Sequence, residues 1–154
     1  MIVPAQESDG PQIIAIAATS GVFTDEEVDT VRELWADYLQ RGETDYAFRV
    51  YREGERVLGF SCHGRRALTE GTYDLFWIAT DIAARRKGVG RALLAQVEEE
   101  IREAGGRLIV VETSGTPAYE PTRQFYCSCG YQAEATIRDF YEPGDDLVIF
   151  TKRL

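Results

Sequence analysis

A strand, a helix and a second strand follow one another in the middle of the chain, and this order constrains the fold most. Thr72–Thr80 is rich in aromatic and β-branched residues, which favours a strand. Apolar residues recur at helical spacing over residues 89–104, and Gly105 and Gly106 mark the end of this amphipathic helix. Residues 108–113 (LIVVET) form a nearly continuous apolar run, as expected for a strand buried on both faces. The middle of the chain therefore predicts a sheet with a helix packed against it.

Further strands and helices are predicted on both sides of this unit. Residues 13–18 (IIAIAA) form a short apolar run that predicts a strand. Thr24 and Glu27 have the spacing of a capping box, which predicts the start of an amphipathic helix that ends near Gly42. Other strands are predicted at residues 46–53, 56–64, 131–141 and 147–152, with a short helix within residues 117–129. The order β-α-β-β-β-α-β-α-β-β predicts one mixed sheet covered by helices.

Length, charge and cysteine content narrow the classes of function. The 154 residues include 17 Lys and Arg against 26 Asp and Glu, a net charge of −9, which disfavours nonspecific nucleic-acid binding and mildly attracts cationic partners. No apolar run approaches the roughly 20 residues of a membrane span. The N-terminal residues lack the basic start and long apolar stretch of a secretory signal. With three cysteines, an odd number, we expect a cytoplasmic protein with free thiols.

Four positive charges and two glycines are concentrated in the loop that precedes the central helix. Residues 80–91 read TDIAARRKGVGR, and the cations are Arg85, Arg86, Lys87 and Arg91. A helix N-terminus presents free N–H groups and the positive end of the helix dipole, so it binds anions. Gly88 and Gly90 allow a ligand to approach the backbone closely. The loop therefore predicts a pyrophosphate site, although the P-loop and the dinucleotide-binding glycine pattern are both absent.

Two motifs in this chain resemble those of one known superfamily. Arg85-x-x-Gly88-x-Gly90 resembles the acyl-CoA loop, Arg/Gln-x-x-Gly-x-Gly/Ala, of the GNAT superfamily of N-acetyltransferases. Phe125-Tyr126-x-x-x-Gly130-Tyr131 is similar to a later motif of that superfamily, and the element order fits over nearly the whole chain. The resemblance implies an α/β (α+β) fold in a single domain over residues 1–154. Its mixed, mostly antiparallel central sheet would have about seven strands, splayed in the middle and flanked by about four helices.

The resemblance also implies a site for acetyl-CoA as co-substrate. The pantetheine arm would enter between the two splayed central strands and pair with backbone groups of Ile78, Ala79 and Thr80. The pyrophosphate would bind the residues of the loop, namely Arg85, Arg86, Lys87, Gly88, Val89, Gly90 and Arg91. Tyr126 matches the tyrosine that donates a proton to the departing CoA thiolate in many members. Many members also carry an Asn seven residues earlier, where it contacts the pantetheine arm, whereas this chain has Tyr119.

The proton acceptor has three candidates. An attacking amine must be neutral, so a base must accept a proton directly or through water. Alternation along the first central strand predicts that Asp74, Phe76, Ile78 and Thr80 share one face. Asp74 falls where histone-acetylating members of the superfamily carry their base, and Glu112 and His63 are its rivals, as is ordered water without a dedicated residue.

Structural roles compete with these catalytic ones. Asp74 equally fits an ion pair with a buried arginine such as Arg123 or Arg138, and Tyr126 also fits, less well, a core aromatic residue with a hydrogen-bonded hydroxyl. Cys62 and His63 lie 64 residues or more from Cys127 and Cys129, a spacing that argues against a metal site.

The function implied by the resemblance is transfer of an acetyl group from acetyl-CoA to a primary amine by direct attack in a ternary complex. The acceptor would be a small-molecule or peptide amine, within aromatic walls formed by Trp35, Tyr38, Phe76 and Tyr141. Two alternatives remain: a non-catalytic CoA-binding or sensing module that acts through a protein partner, and an N-acyltransferase that uses another acyl-CoA. We expect no metal, nucleic acid or membrane partner. An exposed last strand would allow a homodimer.

Overall fold

The computed structural model describes residues 1–43 and 45–154. Seven strands and four α-helices follow one another along these residues. In chain order they are β1 (Ile2–Pro4), α1 (Gly10–Thr19), α2 (Asp25–Arg41), β2 (Ala47–Glu53), β3 (Arg56–Arg65), β4 (Thr72–Thr80), α3 (Val89–Glu103), β5 (Leu108–Ser114), α4 (Glu120–Ser128), β6 (Gln132–Glu142) and β7 (Asp145–Arg153). The strand–helix–strand unit predicted in the middle of the chain is therefore present as β4, α3 and β5.

The strands form one mixed sheet that is splayed at its centre. Its order is β1-β2-β3-β4-β5-β7-β6. Every neighbouring pair is antiparallel except β4 and β5, which are parallel. These two strands pair only from Thr72 with Leu108 to Asp74 with Val110, and they diverge beyond that point. The predicted mostly antiparallel, centrally splayed sheet with four helices is confirmed.

The prediction of a strand at residues 13–18 is wrong, because this run lies inside α1. Ile13, Ile16 and Ala17 are buried at helical spacing in the core cluster that α1 and α2 form with the sheet. A short apolar run cannot by itself be assigned to a strand or to a buried helix, and its three alanines favour the helix. The strand that opens the sheet is instead β1, a three-residue strand that pairs with β2 and was not predicted.

The predicted capping box begins α2. The Glu27 N–H donates to the Thr24 Oγ1 at 3.1 Å, and the Thr24 N–H donates to the Glu27 Oε1 at 3.3 Å. The helix ends at Gly42, whose φ of 69° is the left-handed conformation that glycine tolerates. Both predicted ends of this helix are confirmed.

Two hydrophobic cores cover the two faces of the sheet. On one face α1 and α2 pack over β2 and β3, with Phe48 and Phe60 fully buried. On the other face Leu94, Val97 and Ile101 of α3 pack with α4 and the strands β5 and β7. Fully burying each such side chain contributes about 1.5–3 kcal/mol. The helices thereby position the loop that precedes α3 and the aromatic residues of α4 at the open centre of the sheet.

Trp35 and Tyr38 belong to the first of these cores, so their prediction as walls of the acceptor site is wrong. They are only 7% and 8% exposed, and both rings pack against Phe48 with centroids 5.2 Å away. The Tyr38 hydroxyl donates to the Ala5 carbonyl at 2.9 Å. The same helical periodicity that makes α2 amphipathic turns these rings inward.

Two further findings concern membranes and metals. Among residues 1–43 and 45–154, no helix combines the length and the apolar character needed to cross a membrane. Within the same residues, no three His, Cys, Asp or Glu side chains are grouped as metal ligands. Cys62, Cys127 and Cys129 are free thiols.

Candidate active site

The divergence of β4 and β5 opens two adjoining cavities. The first, about 340 Å³, is called here the acidic cavity; it is lined chiefly by Phe23, Glu27, Phe76, Trp77, Glu112, Tyr119, Tyr126 and Tyr141. The second, about 610 Å³, is called the basic cavity; it is lined chiefly by Ser20, Gly21, Ala79, Thr80, Arg85, Arg86, Gly90, Phe125 and Tyr126. Four residues line both cavities: Val22, Ile78, Thr122 and Tyr126. A molecule that spans the splay therefore passes from a cationic wall to an anionic one.

The loop before α3 supplies the cationic end. Gly88 is the N-cap of α3 with a φ of 77°, and Arg86 also has a positive φ, of 65°. This backbone path leaves the first N–H groups of a 15-residue helix facing outward. A smaller cavity of about 280 Å³ lies over them, lined by Arg85, Arg86, Gly88, Val89, Gly90 and Arg91 among others. The predicted loop residues thus come together around one concave surface, except Lys87, which lines none of these cavities.

Two of the loop arginines are held by neighbouring segments. Arg85 donates through its Nη2 to the Ser20 carbonyl, which brings the end of α1 over the basic cavity. The Arg91 Nη2 donates to the Ser128 Oγ at 3.0 Å, which ties α3 to α4. Gly90 faces Thr80 and Phe125, where an added Cβ would lie 3.6 Å from each side chain. These contacts hold the cationic groups and the helix N-terminus at the edge of the splay.

The backbone of β4 has one edge available at the basic cavity. Ile78, Ala79 and Thr80 pair with β3 on one side, opposite Ser61, Phe60 and Gly59. On the other side β5 has already diverged, and all three residues line the basic cavity. An extended chain with amide groups can add to such an edge by strand-like hydrogen bonds. The pairing of this edge with the pantetheine arm stays a prediction.

A β-bulge in β4 changes which side chains share a face. Cys62 pairs with Trp77 and His63 pairs with Leu75, so Phe76 is an extra residue. Leu75 and Ile78 consequently pack in the same core cluster, which strict alternation would forbid. The prediction that Asp74, Phe76, Ile78 and Thr80 share one face is therefore wrong, because the bulge inverts the alternation after Leu75.

Tyr126 lies where the two cavities meet. The side chain is only 4% exposed and packs against Phe125, Tyr131 and Phe150, with ring centroids 5.5, 5.6 and 5.9 Å away. The hydroxyls of Tyr38, Tyr119 and Tyr131 donate to protein oxygens, whereas that of Tyr126 makes no hydrogen bond with the described residues. Burial raises the pKa of Tyr126 well above 10, so the phenol stays protonated at neutral pH. Its proton is available to a ligand in either cavity.

Asp74 is held in an ion pair and does not line either cavity. The Arg66 Nε donates to its Oδ2 and the Arg66 Nη2 donates to its Oδ1, both at 2.7 Å. The predicted partner Arg123 instead donates to the carbonyls of Ser114 and Thr116. The structural role foreseen for Asp74 is thus present with a different arginine, while its role as a base stays a prediction.

Glu112 and Glu27 are the carboxylates of the acidic cavity. Glu112 is half-exposed on β5, with its Oε1 4.0 Å from the Arg66 Nη2. Glu27 was predicted only as a capping residue, and its place in the cavity was missed. Its Oε1 also accepts a hydrogen bond from the Tyr119 hydroxyl at 3.3 Å. Burial, and then the charges of Glu112, Glu27 and Asp145, raise the pKa of Tyr141, which lines the same cavity.

Comparison with known proteins agrees with this geometry. The model of the acetyltransferase (GNAT) domain family matches residues 44–133 of this chain. This chain belongs to the GNAT acetyltransferase family. Among solved structures, a GNAT-family protein from Desulfovibrio desulfuricans is 39% identical, with a TM-score of 0.96 over 99% of this chain and 98% of that one. A ribosomal-protein-alanine N-acetyltransferase from Brucella melitensis is 22% identical, with a TM-score of 0.78 over 100% and 99% of the two chains, and shares the fold.

Two further proteins extend the comparison. The chain is 28% identical over 102 residues to the uncharacterized N-acetyltransferase YsnE of Bacillus subtilis (strain 168), and the match spans 66% of each chain. An aminoglycoside 6′-N-acetyltransferase solved in complex with coenzyme A is 15% identical, with a TM-score of 0.76 over 99% of this chain and 96% of that one. The latter likeness shows the fold alone.

Tyr119, where many GNAT members carry Asn, holds residues 20–22, a segment that lines the cavities at the splay. Its hydroxyl donates to the Val22 carbonyl as well as approaching Glu27. Val22 lines both cavities, and Ser20 at the other end of the segment is held by Arg85. Tyr119, which replaces the Asn of the family pattern, therefore holds this segment in place in this GNAT domain. The motif alone did not reveal that role.

His63 lies away from the splay. Its Nε2 is 3.8 Å from the Glu100 Oε2, in a separate cavity that also contains Arg49 and Glu43. Burial lowers the pKa of His63 to about 4, although Glu100 acts in the opposite direction. Its Nδ1 is buried and has no hydrogen-bond partner among the described residues. His63 therefore does not meet the acidic or basic cavity of this GNAT domain.

The neutral state of His63 predicts a loss of stability on mild acidification. The unfolded chain binds a proton at His63 below its ordinary pKa of 6.5, whereas the folded chain does so only near 4. The free energy of unfolding should therefore fall by about 2 kcal/mol between pH 7.5 and pH 5. Urea titrations at the two pH values test this, and His63→Gln should abolish most of the fall. An equal fall in the variant would assign it to other groups.

Proposed function

We propose that this chain is an acetyl-CoA-dependent N-acetyltransferase that moves an acetyl group to a primary amine by direct attack in a ternary complex. The observation that carries the proposal is the meeting of a basic and an acidic cavity at the protonated hydroxyl of Tyr126. The basic cavity suits the phosphates of the donor, and the acidic cavity suits an amine. The family membership of the chain supports the same reaction.

The residues at the basic cavity fit acetyl-CoA. Arg85, Arg86 and the N-terminus of α3 would hold the pyrophosphate, since free N–H groups and cations converge there. The free edge of β4 at Ile78–Thr80 would pair with the amides of the pantetheine arm. The thioester would then lie near Tyr126, at the junction of the cavities.

The chemistry needs a proton acceptor and a proton donor. The amine nitrogen forms a bond to the acetyl carbon while the carbon–sulfur bond breaks, and the amine loses a proton. We assign Glu112 as the acceptor of that proton, directly or through water, because it lines the acidic cavity and Asp74 does not. Tyr126 donates its proton to the leaving sulfur, and the two residues exchange protons with solvent before the next turnover.

The proposed acceptor of the acetyl group is a small-molecule or peptide amine. One solved structure of the same fold is a ribosomal-protein-alanine N-acetyltransferase and another is an aminoglycoside 6′-N-acetyltransferase, so the fold alone does not choose between them. The carboxylates of the acidic cavity favour a cationic acceptor. They give no support to nucleic acid as a partner.

Calorimetric titration with acetyl-CoA tests the donor site. We expect micromolar binding that weakens at least about 100-fold when Arg85 and Arg86 are both changed to Glu, because two charge-assisted contacts are lost and repulsion replaces them. Arg102→Glu is the matched control, since Arg102 is exposed at the opposite end of α3. Equal affinity of the wild type and the double variant for acetyl-CoA would show that the loop is not part of the donor site.

Turnover with a panel of amines tests the reaction itself. The measured quantity is the rate at which the CoA thiol is released. Thiol release that depends on both acetyl-CoA and an amine supports the proposal. Binding of acetyl-CoA without release for any amine would favour the sensing-module alternative. Faster release from a longer acyl-CoA would favour the alternative donor.

A further inference from the structure

The acidic cavity carries more negative charge than a single amine requires. Glu27 and Glu112 line it, and none of the described residues that line it is Lys, Arg or His. The nearest cation to Glu112 is the Arg66 guanidinium at 4.0 Å, which is 48% exposed and already pairs with Asp74. Such a pair is weak because water screens it. Two carboxylates thus face a concave site without a strong internal partner.

The two carboxylates come from different elements, α2 and β5, and are held differently. Glu27 is in the first turn of α2, where its Oε1 accepts from the Thr24 N–H at 3.3 Å and lies 3.3 Å from the Tyr119 hydroxyl, whose single proton is shared with the Val22 carbonyl. Glu112 projects from β5 and has no comparable tether among the described residues. Glu27 is therefore a positioned anion, suited to holding a fixed charge, whereas Glu112 is free to accept a proton.

Aromatic rings line the same cavity. They belong to Phe76, Trp77 and Tyr141. Aromatic faces pack against methylene groups and also attract alkylammonium ions. The lining therefore fits an aliphatic chain with a cation at its end.

The hydroxyl of Tyr126 marks the reacting end of the cavity independently of the charges. The side chain is 4% exposed, lines the cavity, and has no hydrogen-bond partner among the described residues. Because Tyr126 lines the cavity, a ligand bound there can supply the hydrogen-bond partner that the protein does not. The reacting nitrogen therefore lies toward Tyr126 and Glu112, with Glu27 left for another group.

We propose that the acidic cavity selects acceptors with two cationic nitrogens joined by an aliphatic chain, namely diamines and polyamines. This inference rests on the proposed function of the same site. One nitrogen loses its ammonium proton to solvent before it attacks, and its second proton passes to Glu112 as the amide forms, so it gives up its charge. The second nitrogen keeps its charge and pairs with Glu27. A monoamine would leave Glu27 without a partner in the cavity.

A matched series of amines tests the proposal. The specificity constant kcat/KM is measured for α,ω-diaminoalkanes and for n-alkylamines of the same length, by release of the CoA thiol. We expect at least one diamine to exceed its monoamine counterpart by about tenfold or more, since an ion pair in a partly desolvated site contributes about 1.4 kcal/mol or more. Short peptides with a free α-amine are included as the competing class.

Glu27→Gln is the decisive variant. A glutamine at this position retains the capping box, so α2 keeps its start while the charge is removed. The ratio of diamine to monoamine kcat/KM should fall about tenfold. Glu26→Gln, at the exposed neighbouring position, is the matched control and should leave the ratio unchanged. A preference for monoamines or peptides, or an unchanged ratio in Glu27→Gln, would overturn the proposal.

A binding measurement separates this inference from the proposed function. The protein saturated with CoA is titrated with 1,5-diaminopentane and, separately, with n-pentylamine. Tighter binding of the diamine that is lost in Glu27→Gln would support the subsite even if no amine is turned over. Equal binding of the two amines would overturn the subsite even if the protein acetylates other amines.

Discussion

Replacing Tyr126 by Phe will lower kcat about 100-fold, while the affinity for acetyl-CoA changes by less than about threefold. The variant removes a proton donor but keeps the ring that packs against Phe125, Tyr131 and Phe150. The hydroxyl makes no hydrogen bond with the described residues, so its loss should cost little stability. Steady-state kinetics and calorimetry on the same preparation measure the two effects.

Tyr131→Phe is the matched control for this prediction. Tyr131 is buried next to Tyr126, and its hydroxyl donates to the Glu98 Oε2 at 3.2 Å on the side away from both cavities. This control should lower the free energy of unfolding and keep kcat. If Tyr126→Phe weakens acetyl-CoA binding more than it lowers kcat, Tyr126 is a binding residue and not the proton donor.

Replacing Glu112 by Gln will lower kcat at neutral pH by about 10²-fold if Glu112 accepts the proton of the amine. The change is isosteric and falls on a half-exposed side chain, so the sheet should tolerate it. Asp74→Asn is the informative companion, because Asp74 was one of the candidate bases in the sequence. It should lower the free energy of unfolding by about 1 kcal/mol, since it removes the charge from a bidentate pair with Arg66.

The two variants together decide which carboxylate is the base. A large loss of kcat in Glu112→Gln and a smaller loss in Asp74→Asn would support the assignment made from the cavity. A larger loss of kcat in Asp74→Asn than in Glu112→Gln would instead identify Asp74 as the base. Small losses in both would leave proton removal to ordered water. The free energies of unfolding, measured in urea, show whether any loss of activity reflects unfolding.

The position of the basic, glycine-containing loop before α3 could be predicted closely because its signals are local. Backbone N–H groups at a helix start, flexible glycines and clustered cations are properties of one contiguous segment, residues 80–91. The structure places Arg85, Arg86 and Gly88 around one concave surface, as expected. Only Lys87 among the predicted loop residues lies outside the cavities, since the turn directs it elsewhere.

The acceptor side was harder to predict because it is built from distant segments. Glu27, Phe76, Glu112 and Tyr141 come from α2, β4, β5 and β6, and no local pattern links them. Glu27 had a complete local explanation as a capping residue, which concealed its second role. The partner of Asp74 depended on the turn after β3, which brings Arg66 back to β4.

The sequence by itself determined the order of most elements, the basic loop before α3 and the motif that carries Tyr126, because periodicity, capping and glycine conformation act within a few residues of the chain. The tertiary structure decided the rest. Tertiary packing placed residues 13–18 in a helix and buried Trp35 in the core. The bulge at Phe76 changed which side chains of β4 share a face. The tertiary structure also opened the two cavities, since the splay depends on where β4 and β5 stop pairing. Those outcomes follow from packing between segments far apart in the sequence, where no local rule applies.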